Sequence, residues 1–141
     1  MKPSAAYLLA PVLGFMIAQA IKYILASRKE KSWRQFFRSG SMPSSHTAVV
    51  TSLATVIYAH EGFTPLFSVT AVLTMITIYD ALVARRSIGE QGAALVRLIE
   101  KSPFAKDPLP RVALGHKPRE VAAGGLLGFM LGIIVAIFIT N

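Results

Sequence analysis

The chain has 141 residues, of which 53% are hydrophobic and only 16% charged, with 15 Lys and Arg against 7 Asp and Glu for a formal net charge of +8. That balance excludes an ordinary soluble domain of this size and fits a small integral membrane protein. With no cysteine there can be no disulfide framework and no thiolate metal site, and three histidines and seven acids are too scattered for a metal cage, so no metal or cofactor is expected.

The first element is the apolar segment Ala5 to Leu25, "AAYLLAPVLGFMIAQAIKYIL", long enough to span the roughly 20 residues that a bilayer core requires. "AQA" at Ala18 to Ala20 has the form of a signal-peptidase site, but a single Lys2 is a thin leading charge, and the segment reads as an uncleaved span. Within it, Gln19 and Lys22 are polar at membrane depth, where an ionisable group costs about 2.5 to 3.5 kcal/mol near the centre. Lys22 either snorkels to the headgroups or does chemistry.

The stretch "GSMPSSHTAVV", from Gly40, predicts a helix start, with a serine cap after Pro43 and His46 in the first turn. Residues 45–59 form a second, shorter span whose Thr47, Thr51, Ser52 and Thr55 suit the inside of a bundle. Residues 63–83 make the third span, with Asp80 near its end and Arg85 and Arg86 just beyond; an ion pair between Asp80 and one of these arginines or Lys22 is the plain structural reading. Residues 84–120 are not membrane-like. Ser87 and Glu90 form a capping-box pattern, and Ile88, Leu95 and Ile99, with Val96 alongside, give an apolar stripe, which together predict an amphipathic helix at the interface, ended by the proline-rich "SPFAKDPLPR". Residues 121–140 are the fourth span, with Gly124, Gly128 and Gly132 spaced for close packing within the bundle or across a homo-oligomer contact. The expected architecture is therefore all-α: a single membrane domain, 1–141, of about four transmembrane helices with a cytoplasmic interfacial amphipathic helix.

The charges follow this layout. Arg28, Lys29, Lys31, Arg34 and Arg38 lie between the first and second spans, and a second basic group from Arg85 to Arg119 lies between the third and fourth. The positive-inside rule places both loops in the cytoplasm and both termini outside, so the net charge reflects topology and anionic lipid rather than nucleic acid.

Two histidines then stand at helix entrances on one side. A helix N-terminus presents unpaired N–H groups and partial positive charge, which favour an anion, and Ser44, Ser45 and His46 open the second span. His46 can give or take a proton near neutral pH. In "LGHKPREV", Glu120 follows His116 by four residues and, with Pro118 in the first helical turn, can reach back to one ring nitrogen and leave the other as nucleophile or base. Two imidazoles among arginines point to phosphate-ester chemistry.

"MPSSH", "YDALVARRSIGEQGA" and "LGHKPREVAAGGLLG" resemble the divergent branch of the type 2 phosphatidic acid phosphatase superfamily, whose wider membership includes lipid phosphate phosphatases and vanadium haloperoxidases. The resemblance runs from about Gln19 to Gly128. The superfamily's Pro-Ser-Gly-His element corresponds to Pro43 to His46, with Ser45 in place of glycine. Of its Ser-Arg-x5-His-x3-Asp element, His116 and Glu120 keep the spacing, with Glu for Asp, while no Ser-Arg pair stands upstream at the expected distance and Arg111 is one position too close. Lys31 to Arg38 nearly matches the Lys-x6-Arg-Pro element but lacks the proline, and the divergent branch's own glutamine and lysine correspond to Gln19 and Lys22. The resemblance implies a metal-independent lipid phosphatase with His116 as nucleophile, oriented by Glu120, and His46 as general acid and base. Lys22, Ser44, Ser45, Arg85 and Arg86 would hold phosphate, supported by Gln19 and Asp80. The substrate would be a phosphatidic acid-like lipid, phosphatidylglycerophosphate or a prenyl phosphate at the cytoplasmic leaflet. A non-catalytic carrier or assembly factor that binds anionic headgroups is the competing reading.

Overall fold

The computed structural model describes residues 3–26, 41–102, 109, 112 and 115–139. It is all-helical among these residues: α1 (Pro3–Leu25), α2 (Ser45–Glu61), α3 (Pro65–Tyr79), a π-helical turn (Asp80–Ala84), α4 (Arg85–Glu100) and α5 (Pro118–Ile139). Of the expected residues, Lys31, Arg38 and Arg111 lie outside the described ones.

Three stretches are long and apolar enough to cross a membrane: Ala5–Leu25, Pro65–Glu100 and Pro118–Phe138. Each turns large apolar side chains outward, among them Leu8, Ile24, Val69, Met75, Leu126 and Phe138. Such a belt would be a liability in water and is ordinary against lipid. α2, with 17 residues, is not among the three. It is the central helix instead, packed against α1, α3 and α5.

Sequence explains why α2 can be central. Its hydroxyls bond within the bundle rather than requiring water: Ser52 Oγ donates to Val49 O at 2.9 Å and Thr55 Oγ1 to Thr51 O at 2.7 Å. Thr74 Oγ1 on α3 bonds its own helix at Thr70 O, 2.8 Å, and also lies 3.3 Å from Val50 O on α2. α2 stops at Gly62, whose φ of 68° closes the helix with its N–H on Tyr58 O at 2.9 Å. α3 restarts at once behind the Thr64 cap with Pro65 in its first turn.

The glycine stripe of α5 is spent inside the bundle. A Cβ on Gly124 would run into the Ser44 carbonyl oxygen, one on Gly128 into the Ala48 carbonyl oxygen, and one on Gly132 would lie 2.6 Å from Thr55 Cβ. These glycines let the backbones of α5 and α2 touch.

The helix that carries the third apolar span does not end with it near residue 83. α3, the π-turn and α4 form one helical run of 36 residues. At 1.5 Å per residue that is about 54 Å, well beyond the roughly 30 Å hydrocarbon core, so α4 extends outside it or lies at its surface. The capping-box expectation at Ser87 is therefore corrected. No proline or glycine interrupts the chain from Tyr79 to Ser87, and the π-turn absorbs an extra residue without stopping the helix. Ser87 sits inside α4 and accepts from Gln91 Nε2 at 3.4 Å, while Glu90 pairs with Arg86. The apolar stripe is present, with Ile88 and Leu95 exposed and Val96 and Ile99 partly covered.

Candidate active site

The site lies at the end of the bundle where α1 finishes, α2 and α5 begin, and α3 passes into α4. Ser44 caps α2: its Oγ accepts from Thr47 N at 3.4 Å and from Thr47 Oγ1 at 3.0 Å. Pro118 is the first residue of α5, and Glu120, two residues on, reaches back: its Oε2 accepts from Lys117 N at 3.1 Å and lies 3.0 Å from His116 Nδ1. One carboxylate thereby closes the helix start and orients the imidazole. A carboxylate accepts only, so the Nδ1 proton points to Glu120 and Nε2 is the nitrogen left outside that contact. Both partners are buried, at 5% and 8% exposure.

Backbone contacts hold the two histidine-bearing helix starts together. Ser44 N donates to Glu120 O at 2.9 Å, tying α2 to α5. His116 N donates to Ala81 O at 3.2 Å. The π-turn makes that second bond available. Arg85 N–H donates to Asp80 O, five residues back, so Ala81 O does not receive the partner it would have in a regular α-helix, four residues on. Gly115 lets the incoming loop lie on this turn; a Cβ there would come 2.6 Å from Arg86 N.

His46 and His116 line one cleft, of about 240 Å³, with Ile76, Thr77, Asp80, Ala81 and Arg85. Arg85 Nε meets Asp80 Oδ2 at 2.7 Å, the ion pair anticipated from the sequence. His46 also lies within electrostatic reach of Lys22. Lys22 does not snorkel: it is 6% exposed, and its Nζ donates to Ser45 Oγ at 3.2 Å, within reach of the Glu120 charge. Gln19 is buried one helical turn before it.

Two of the expected phosphate contacts do not line this cleft. Arg85 and Arg86 face different clefts. Successive helical residues diverge by about 100°, and Arg86 points to a different cleft, where its Nε meets Glu90 Oε1 at 3.0 Å. Ser44 is fully buried, with its hydroxyl committed to the cap and its backbone against Gly124, so it shapes the helix start without lining the cleft. Ile76, Thr77 and Ala81 were not singled out by sequence. A threonine one turn before a membrane-depth aspartate was the available signal for Thr77.

A helical membrane protein with a histidine at the start of each of two adjoining helices, one held by a carboxylate and both facing an arginine–aspartate pair, is the class that fold and site define. The sequence match agrees: residues 4–131 match the divergent PAP2 family, and the chain belongs to that family. It is 37% identical to the uncharacterized membrane protein YuiD of Bacillus subtilis (strain 168), over 93% of this chain and 94% of that protein. No solved structure matches the chain.

Proposed function

We propose that the protein is a lipid phosphate phosphatase that hydrolyses a phosphate monoester through a phosphohistidine. α2 is read as a fourth, internal span; at about 26 Å it nearly matches the hydrocarbon thickness. Lys22, Arg85, Arg86, Arg97, Lys117 and Arg119 all lie toward the site end or beyond it, so the positive-inside rule sets that end at the cytoplasmic leaflet.

His116 Nε2 attacks phosphorus, forming the N–P bond as the ester P–O bond breaks. His46 gives its proton to the departing alcohol oxygen. It then takes a proton from water, whose oxygen attacks phosphorus and releases inorganic phosphate and free His116. Glu120 keeps the Nδ1 proton in place and offsets the positive charge on the ring. Arg85, fixed by Asp80, meets the phosphoryl oxygens in the cleft, and Lys22 with the Ser45 hydroxyl supplies positive charge beneath it. Ser44 contributes by setting the α2 start and Gln19 by packing beside Lys22. The acyl or prenyl chain leaves the cleft past Ile76 and Thr77 toward lipid.

The observation that carries this reading is the shared cleft: His46, His116 and the Arg85–Asp80 pair line it together, while the far nitrogen of His116 is held by Glu120. The test is release of inorganic phosphate by detergent-purified protein from phosphatidic acid, phosphatidylglycerophosphate and a prenyl phosphate, with vanadate as inhibitor. Vanadate-sensitive release is expected from at least one. Binding without release would favour the headgroup-carrier reading.

A further inference from the structure

His116 stands between two clefts. The function proposed above uses the one it shares with His46. The other, about 610 Å³, is lined by Arg86 and Glu90 of α4 and by Gly115, His116, Lys117, Pro118 and Arg119. Among the described residues that line it, three cations from two separate elements meet and Glu90 is the one carboxylate, so these side chains carry a surplus of about two positive charges. The Glu90 contact engages Arg86 through Nε, one of five guanidinium donors.

Topology alone does not account for this placement. The positive-inside rule is indifferent to where in a loop a cation sits, and the loops hold many others. Lys117 and Arg119 instead stand on either side of Pro118 at the start of α5, where a cation is disfavoured, and Glu120 in that turn supplies one negative charge against their two positive ones. An anion in the cleft offsets the remainder. It would also lie against the same imidazole that faces the first phosphoryl group.

We propose that this second cleft is an anion subsite that takes a second phosphoryl group of the same lipid. The inference rests on the phosphatase reading and narrows its substrate to lipids bearing two phosphoryl groups. One sits between His46 and His116, the other over Arg86, Lys117 and Arg119. A diphosphate ester provides the second group directly, in which case the bond that breaks is the phosphoanhydride and His46 protonates the departing phosphate oxygen; a phosphatidylglycerophosphate provides it across a glycerol, and the departing oxygen is the alcohol's.

The test is calorimetric titration of the purified full chain in detergent with two matched pairs: a prenyl monophosphate against its diphosphate, and phosphatidic acid against phosphatidylglycerophosphate. Within at least one pair the two-phosphoryl lipid should bind about tenfold tighter or more, as one or two added charge-assisted hydrogen bonds imply. The pair that shows it identifies how the two groups are spaced. The double variant K117Q/R119Q, both positions exposed, should erase that advantage while moving one-phosphoryl affinity less than about twofold. Equal affinities within both pairs, no measurable binding, or a double variant that weakens both members alike would overturn the subsite. Phosphate release measured on the same samples separates the two ideas. A two-phosphoryl preference without turnover defeats the phosphatase and leaves the subsite, whereas turnover without preference does the reverse.

Discussion

The two ends of the bundle make an instructive contrast, because α2 carries a histidine at each. His46 opens α2 in a cleft shared with His116, Asp80 and Arg85. His60, at the other end, lies beside the Tyr7 ring at 6.0 Å between centroids, and its buried Nε2 has no hydrogen-bond partner among the described residues. Next to it Glu61 accepts from Tyr7 Oη at 2.7 Å, and Tyr58, Phe63 and Phe67 pack edge to face or tilted. Two helices begin at each end, α2 and α5 at one and α1 and α3 at the other, so helix dipoles do not distinguish them. Side chains do. Lys22, Arg85, Arg86, Lys117 and Arg119 gather at the first end, and no lysine or arginine lies at the second among the described residues. An imidazole becomes a candidate catalyst through its company.

The largest effect that would break this contrast is at the histidines. H46A and H116A should each lower phosphate release about 100- to 10,000-fold, whereas H60A should leave it within about twofold. Equal losses at all three would mean that the ends do not differ in function. E120Q keeps the shape but removes the negative charge facing Nδ1, and should cost on the order of a hundredfold in rate with lipid binding retained, as expected of an orienting group.

The packing between the ends can be sharpened by a pair of glycines. G128A pushes a methyl group into the Ala48 backbone and should lower stability by roughly 1 to 3 kcal/mol, read as a lower melting temperature in detergent. G125A, whose new Cβ finds only Thr47 Cγ2 at 3.8 Å, should be neutral or slightly stabilising. The smallest effect is at the far end. Y7F removes the hydrogen bond to Glu61 and should cost about 0.5 to 1.5 kcal/mol of stability without touching phosphate release.

Much of this was legible in the sequence, for identifiable reasons. Apolar runs and caps are local signals, so the helix starts at Ser45 and Pro118 and the reach of Glu120 back to His116 could be read from spacing, while Asp80 was left with Arg85, Arg86 and Lys22 as possible partners and the structure gives Arg85. The sequence also left the glycine stripe two uses, and the structure shows one of them, against α2. What it could not convey depends on register and tertiary placement. A π-turn has no sequence signature, so the continuous run from Pro65 to Glu100 was divided at a capping box that forms no cap. The 100° step between successive helical residues sends Arg85 and Arg86 to separate clefts, which adjacency in the chain conceals. Lys22 could snorkel or face the site until its burial and the Ser45 hydroxyl beside it are seen. Lys117 and Arg119 looked like topology until the cleft they line came into view.

The central claim is most directly tested by acid- and alkali-quenched single turnovers on a lipid labelled in its phosphoryl group, followed by mapping of the label on the protein. The account predicts label on His116 that survives alkali and is lost in acid, absent from H116A and sensitive to vanadate. An enzyme that releases phosphate at an undiminished rate when His116 is alanine would contradict it.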